Sequence, residues 1–263
     1  MSPGLNIFRQ TAKENLKATV GLSLVFALLV VIYAVVYPAY KDNLVQMMQS
    51  SPEMPIRGYE FAASYPGFLN VELYQVFWVL ILALIFGHVA ASVISREVES
   101  KTIELLLSNP VPRYQVVFEK FVGLIPMVLV VDFTAMASVL LVTRGIGEEL
   151  GLYGLTITHL LAIPYFFAVV AIGTLVSTVI DRKMKASIFV MGIVVFGYLI
   201  QTLSLLAPDY RNLGSVSLIY YYDPADGLLN GTVDAVGCLV LSAVTIVCLM
   251  AAMWYFGRRD ISI

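Results

Sequence analysis

Charge is what this sequence has least of. Asp, Glu, Lys and Arg supply 13% of its 263 residues and hydrophobic side chains supply 59%. That ratio excludes an ordinary water-soluble domain and points to a bilayer as the solvent. Histidine and cysteine are scarcer still as residue types, at two each. His88 and His159 lack neighbours at metal-ligand spacing, so no metal site is expected. Cys238 and Cys248 fall on one expected helix, about 15 Å apart along its axis, too far to bridge, and read as apolar thiols. No G-x-x-x-x-G-K-[ST] occurs, which leaves the chain without a loop to cradle nucleotide phosphates. With 16 basic and 18 acidic residues there is no global basic surface, and a nucleic-acid partner is excluded. Low-complexity runs and convincing internal repeats are missing too, against a transporter built from inverted repeats.

What is present is apolar sequence in long runs. Six segments, 16–37, 73–95, 121–143, 156–180, 186–207 and 235–257, each reach the roughly 20 residues needed to cross a hydrocarbon core of about 30 Å. The expected fold is an all-α integral membrane protein, one transmembrane domain of six helices. The first run follows Arg9, Lys13 and Lys17 like a signal peptide, but it is too long and no small-residue cleavage site follows, so it reads as a retained helix. Leu5, Ile7, Phe8 and Leu16 interleave with those bases and suggest a short helix lying on the inner membrane surface.

The basic residues give the orientation. With the N-terminus inside, the cytoplasmic regions hold Arg9, Lys13, Lys17, Arg96, Lys101, Arg113, Lys120, Arg182, Lys183, Lys185, Arg258 and Arg259, and only Lys41, Arg57, Arg144 and Arg211 fall outside. The positive-inside rule therefore predicts cytoplasmic N- and C-termini in a cell membrane. Tyr33, Tyr37 and Tyr40 at the outer end of the first span, and Trp254, Tyr255 and Phe256 at the inner end of the last, suit interfacial belts.

Pro38 to Glu72 reads as the longest outer loop, broken by Pro52, Pro55 and Pro66, with one short amphipathic helix near residues 40–49. Residues 208–232 are too interrupted to span yet apolar enough to dip into the membrane, acceptable only if protein satisfies their backbone.

The most informative stretch is the cytoplasmic loop 96–120, R-E-V-E-S-K-T-I-E-L-L-L-S-N-P-V-P-R-Y-Q-V-V-F-E-K. Thr102, Glu104, Leu105, Leu106 and Leu107 give a helix with one apolar edge and one acidic face. Pro110 and Pro112 stop it, and Val116, Val117 and Phe121 lead into the third span. Such a helical hairpin can receive a push from a soluble partner. An ordinary membrane-surface loop is the plainer reading of the same pattern.

This loop resembles that of the type-two ABC exporter permeases, whose pattern is roughly E-x-E-x-G-T-x-E-x-L-L-x-x-P-V-x-R with a Lys opening the next helix. Glu97, Glu99, Thr102, Glu104, Leu106, Leu107, Pro110, Val111 and Arg113 match it, Lys120 opens the next helix, Leu105 adds to the same apolar edge among the candidate coupling residues, and Lys101 replaces the family's Gly. Tyr221-Tyr222-Asp223-Pro224 is similar to the last outer segment of some members. The resemblance implies a permease dimer seated on two ABC ATP-binding subunits, with ATP and Mg held by those subunits and with this loop as the coupling element. In that reading the permease is an exporter with no cofactor of its own.

Three ionisable residues remain within the spans. Asp132, near the middle of the third, costs about 2.5–3.5 kcal/mol on an insertion scale and must face the interior, either as a pathway carboxylate or as an acid hydrogen-bonded between helices. His88 is the other candidate pathway residue, and His159 opens the fourth span. Gly173, Thr174, Ser177 and Thr178 offer a small face for close packing. Met47, Met48 and Met54 could ligate Cu(I), but at helical spacing they read as packing. Two rival functions stay open. One is a non-transporting membrane subunit of an ABC-like assembly; the other is an intramembrane enzyme using Asp132 and His88 as acid and base.

Overall fold

The structure, a computed structural model, describes residues 4–50, 56–103 and 111–259. Every regular element among them is helical. The six spans are α1 (Gly4–Ser50), α2 (Tyr65–Ser92), α4 (Arg113–Ile146), α5 (Leu152–Val179), α6 (Lys183–Leu206) and α8 (Ala235–Arg258). Two short helices complete the set, α3 (Ser95–Glu99) after α2 and α7 (Pro224–Leu228) before α8.

α5 is the hub. It packs against α2, α4, α6, α7 and α8, while α1 lies along α4. The small residues of α5 explain its centrality. A Cβ on Gly173 would stand 2.6 Å from the Ala90 Cβ and 3.1 Å from the Gly87 carbonyl of α2. Thr174, Ser177 and Thr178 return their hydroxyls to carbonyls of their own helix and so expose no unpaired donor to a neighbour.

Both chain ends lie at one end of the bundle, called here the terminal end. Gly123 of α4 packs on Phe8 and Thr11 of α1, and Arg259 donates to the Thr178 carbonyl at the close of α5. At the opposite end Tyr37 donates to the Ala63 carbonyl at 3.0 Å and Thr143 donates to the Tyr65 hydroxyl at 3.1 Å.

α1 departs from expectation. The separate surface helix, the span 16–37, the break at Pro38 and the short helix after it are one continuous helix of 47 residues with Pro38 inside. A proline removes one backbone hydrogen bond, which membrane helices tolerate, and Ala39, Leu44, Gln46, Met47, Met48 and Gln49 beyond it are good helix formers.

Within α2, residues Asn70–Leu82 wind as a π-helix. Its wider turn strains the ordinary carbonyl pairing, and the Tyr165 hydroxyl of α5 donates to the Val79 carbonyl at 2.7 Å.

Between α6 and α8 the chain turns back along α6. Gly214 sits against Ser204 and Gln201, and Ser217 against Gly197, nine positions before the helix end at Leu206, or about 13 Å. The segment expected to dip takes the form of 3-10 turns over Pro208–Val216 and Leu218–Tyr221.

Candidate functional site

The terminal end is organised around the short loop that leaves α2. α3 closes on a turn in which Thr102 N–H bonds the Glu97 carbonyl at 3.0 Å and Lys101 N–H bonds that of Val98 at 3.1 Å. This pair of bonds is a Schellman C-cap, whose αL residue is usually Gly. Here it is Lys101, with φ +58°. The tight turn survives the replacement and carries the backbone strain of a side chain in the left-handed region.

Three side chains then stake the loop to three different helices. Arg96 pairs with Glu14 of α1 at 2.5 Å. Glu97 is buried and pairs with the Lys120 ammonium of α4, itself only 1% exposed. Glu99 accepts the first N–H of α6, from Lys183, at 3.1 Å. Arg182 offers α6 no side-chain cap, so the Glu99 carboxylate supplies both the missing acceptor and a negative charge at the positive end of the helix dipole. Arg113 and Arg259 close the ring. Arg113 donates to the Arg259 carbonyl at 2.5 Å, and Arg259 pairs with Asp181 after α5. A displacement of residues 95–103 is therefore felt by α1, α4 and α6 together.

A second cluster lies in the dry part of the bundle. His159 of α5 meets Asp132 of α4 through Nδ1 and Oδ1 at 3.0 Å, and Tyr74 of α2 through Nε2 and the hydroxyl at 2.9 Å. Both His159 and Asp132 are fully buried. Trp78 packs edge-on to the imidazole, ring centres 4.9 Å apart. Across three helices this makes a relay of acid, imidazole and phenol. Its net charge is zero whether the proton sits on Asp132 or on His159, so the pair avoids the cost of an isolated charge in hydrocarbon.

At the opposite end, Asp223 caps α7 through Ala225 N–H, accepts from Gln75 of α2 at 2.9 Å and pairs with Arg57 at 3.2 Å. Burial pushes its carboxyl up from the ordinary value, with the Arg57 guanidinium opposing the shift.

Compared with models of protein families, residues 5–261 match the ABC-2 family transporter protein. The chain belongs to the ABC-2 family. No curated protein matches it. This ABC-2 chain is thus a membrane permease subunit, multi-pass and built for a transporter.

Several residues of the permease fall elsewhere than its sequence suggests. Glu97, expected among the charges that orient the loop on a partner, turns inward and pairs with Lys120, which would otherwise be a buried cation without a partner. Glu99, Thr102 and Arg113 stay at the surface-facing rim of the terminal end, Thr102 bonded to Ser100 at 2.9 Å. Glu104, Leu105, Leu106 and Pro110 lie outside the described residues. Asp132 and His88 are not brought together: Asp132 is sealed beside His159, and His88 is exposed on α2, four residues before its end. No acid–base pair joins them, which removes the geometric basis for the intramembrane enzyme. Tyr74, Trp78 and His159 are the residues that sequence reasoning missed. A buried Asp132 demands a partner, and with two histidines in the chain His159 was findable by elimination. Nothing singles out Tyr74 or Trp78 among so many aromatics.

Proposed function

We propose that this chain is the export permease of an ABC transporter, two copies forming the pathway. The terminal end faces the cytoplasm of a cell whose plasma membrane it spans, and each copy seats an ATP-binding subunit that supplies ATP and Mg. The observation that carries the reading is the triple staking of residues 95–103 to α1, α4 and α6. A loop held by one helix would yield locally. One held by three transmits a push to most of the bundle.

The exposed stripe on α2 formed by Ile81 and His88 supports the pathway assignment for His88. Intramembrane ionisable side chains face protein or water rather than lipid, and a second copy or a water-filled vestibule meets that need. Asp132 takes a structural place.

The test is a reconstituted complex with its ATP-binding subunit. Arg96→Ala with Glu99→Ala is expected to weaken co-purification of that subunit or to leave ATP hydrolysis running without vectorial movement of substrate. Glu148→Ala with Glu149→Ala, at the other end, leaves both intact. Wild-type values for the loop variant in co-purification, hydrolysis and transport would remove the coupling assignment. Hydrolysis that never drives movement, even in the unmodified complex, would favour a mechanical subunit instead. Orientation is checked separately: an impermeant thiol reagent added outside intact cells is expected to label Glu149→Cys and not Ser100→Cys.

A further inference from the structure

Under the tip of the returning segment lies a cavity of about 150 Å³, away from the loop and from the relay around His159. Val169 of α5 and Val190, Val194 and Gly197 of α6 form its walls, and Ser217 and Ile219 form its roof. Val194 stands at the middle of α6, so the cavity sits near the centre of the bilayer. The three valines of the walls are buried, whereas Ile193 and Val216 at its rim are 38% and 74% exposed. The opening is therefore sideways, toward whatever surrounds α6.

The lining leaves little for water to bind. The Tyr165 hydroxyl is spent on the Val79 carbonyl at 2.7 Å, and Ser217 accepts from the Ile219 N–H at 3.2 Å. A cavity water needs two to four polar partners, and apolar cavities of about this size stay dry and take benzene-sized apolar guests. Gly197 keeps the roof low, since a Cβ there would come within 3.1 Å of the Ser217 hydroxyl oxygen.

We propose that this cavity seats the end of one acyl tail of a bilayer phospholipid, entering between α5 and α6 and roofed by residues 216–219. Hydrocarbon is the medium at this depth, the walls exclude water, and the rim opens onto an apolar helix face. The tail fills the space that α5, α6 and the returning segment leave between them.

The experiment uses the permease in nanodiscs made with a phospholipid bearing a diazirine near the end of one acyl chain, followed by photolysis, proteolysis and mass spectrometry. Cross-links are expected on residues 190–197 and 216–219. Filling the cavity with Gly197→Phe, or from the other wall with Val169→Phe, is expected to abolish them and to leave cross-links on the exposed face of α1 unchanged. The variant that keeps the unmodified protein's melting temperature is the one read. Two results overturn the proposal: lining cross-links that persist in the filled variant, or an unmodified protein whose lining is unlabelled. Disulfide trapping of Val216→Cys between two copies would likewise show the cavity to be covered by protein and not by lipid.

Discussion

The two halves of the bundle are held by opposite chemistry. At the terminal end the helices are tied by ions: Arg96 to Glu14, Lys120 to Glu97, Glu99 to the start of α6, Arg259 to Asp181. Above it they are tied mainly by rings and hydrogen bonds, with Trp78 packed between Phe26, Tyr74, His159 and Phe166, and ions return only at the far rim, where Arg57 pairs with Asp223. Ion pairs near water re-form in new geometries at small cost, because both partners can be rehydrated. Interlocked aromatics in a dry core have few alternative packings. One end is made to be re-jointed and the other to keep its shape.

The largest expected effect comes where the ionic end goes dry. Lys120→Ala leaves Glu97 buried without its cation and is expected to cost about 3–5 kcal/mol. Replacing the pair together, Lys120→Met with Glu97→Leu, should return most of that loss, as read by thermal unfolding of the purified protein. A double variant as unstable as the single one would mean that the pair does more than neutralise itself.

Next comes the ring-bound half. His159→Phe keeps a ring against Trp78 but strands Asp132 and the Tyr74 hydroxyl, an expected loss of about 2–3 kcal/mol. Asp132→Asn keeps an acceptor for His159 and should lose less, about 1 kcal/mol, with transport retained. If Asp132→Asn stopped transport at unchanged stability, the relay would belong to the working end of the comparison rather than the fixed one.

Lys101→Gly runs the other way. Removing the Cβ from an αL position is expected to stabilise by about 1 kcal/mol. If the strain serves coupling, the gain in melting temperature comes with a lower ratio of transport to hydrolysis.

The smallest effect is Arg96→Ala, under about 1 kcal/mol, since the pair with Glu14 is half-exposed and screened by salt. Its signature is functional: salt weakens coupling in the unmodified protein and no longer does so in the variant.

Hydropathy made the six spans legible because a bilayer reads composition, and the loop motif made the terminal end legible because its residue types are unusual. What hydropathy missed at α1 is instructive. It marked where the apolar residues end near Tyr37, which is where hydrocarbon ends, and the helix simply continues past Pro38 into water. The pairing of Glu97 with Lys120 was hidden for another reason. Both residues stood in the motif, but their 23-residue separation bridges a turn whose geometry depends on Lys101 taking a left-handed conformation that a sequence with Gly there would have announced. Asp132 was correctly driven inward by solvation cost, and only the depth of His159, nearer the middle than its place at the start of a span suggested, concealed its partner.

The length of α1 has a mechanical meaning. At 47 residues it is about 70 Å long, more than twice the hydrocarbon thickness it crosses. It is braced near one end by Gly123 against Thr11 and near the membrane's other side by Tyr37 on the Ala63 carbonyl. A rod so supported is a lever. Tilting it by about 5° swings a tip by roughly 6 Å over its full length, close to one helical turn. α1 thus joins the Arg96–Glu14 pair to the far surface in one piece, with Pro38 as the one place along the shaft where the backbone ladder lacks a rung.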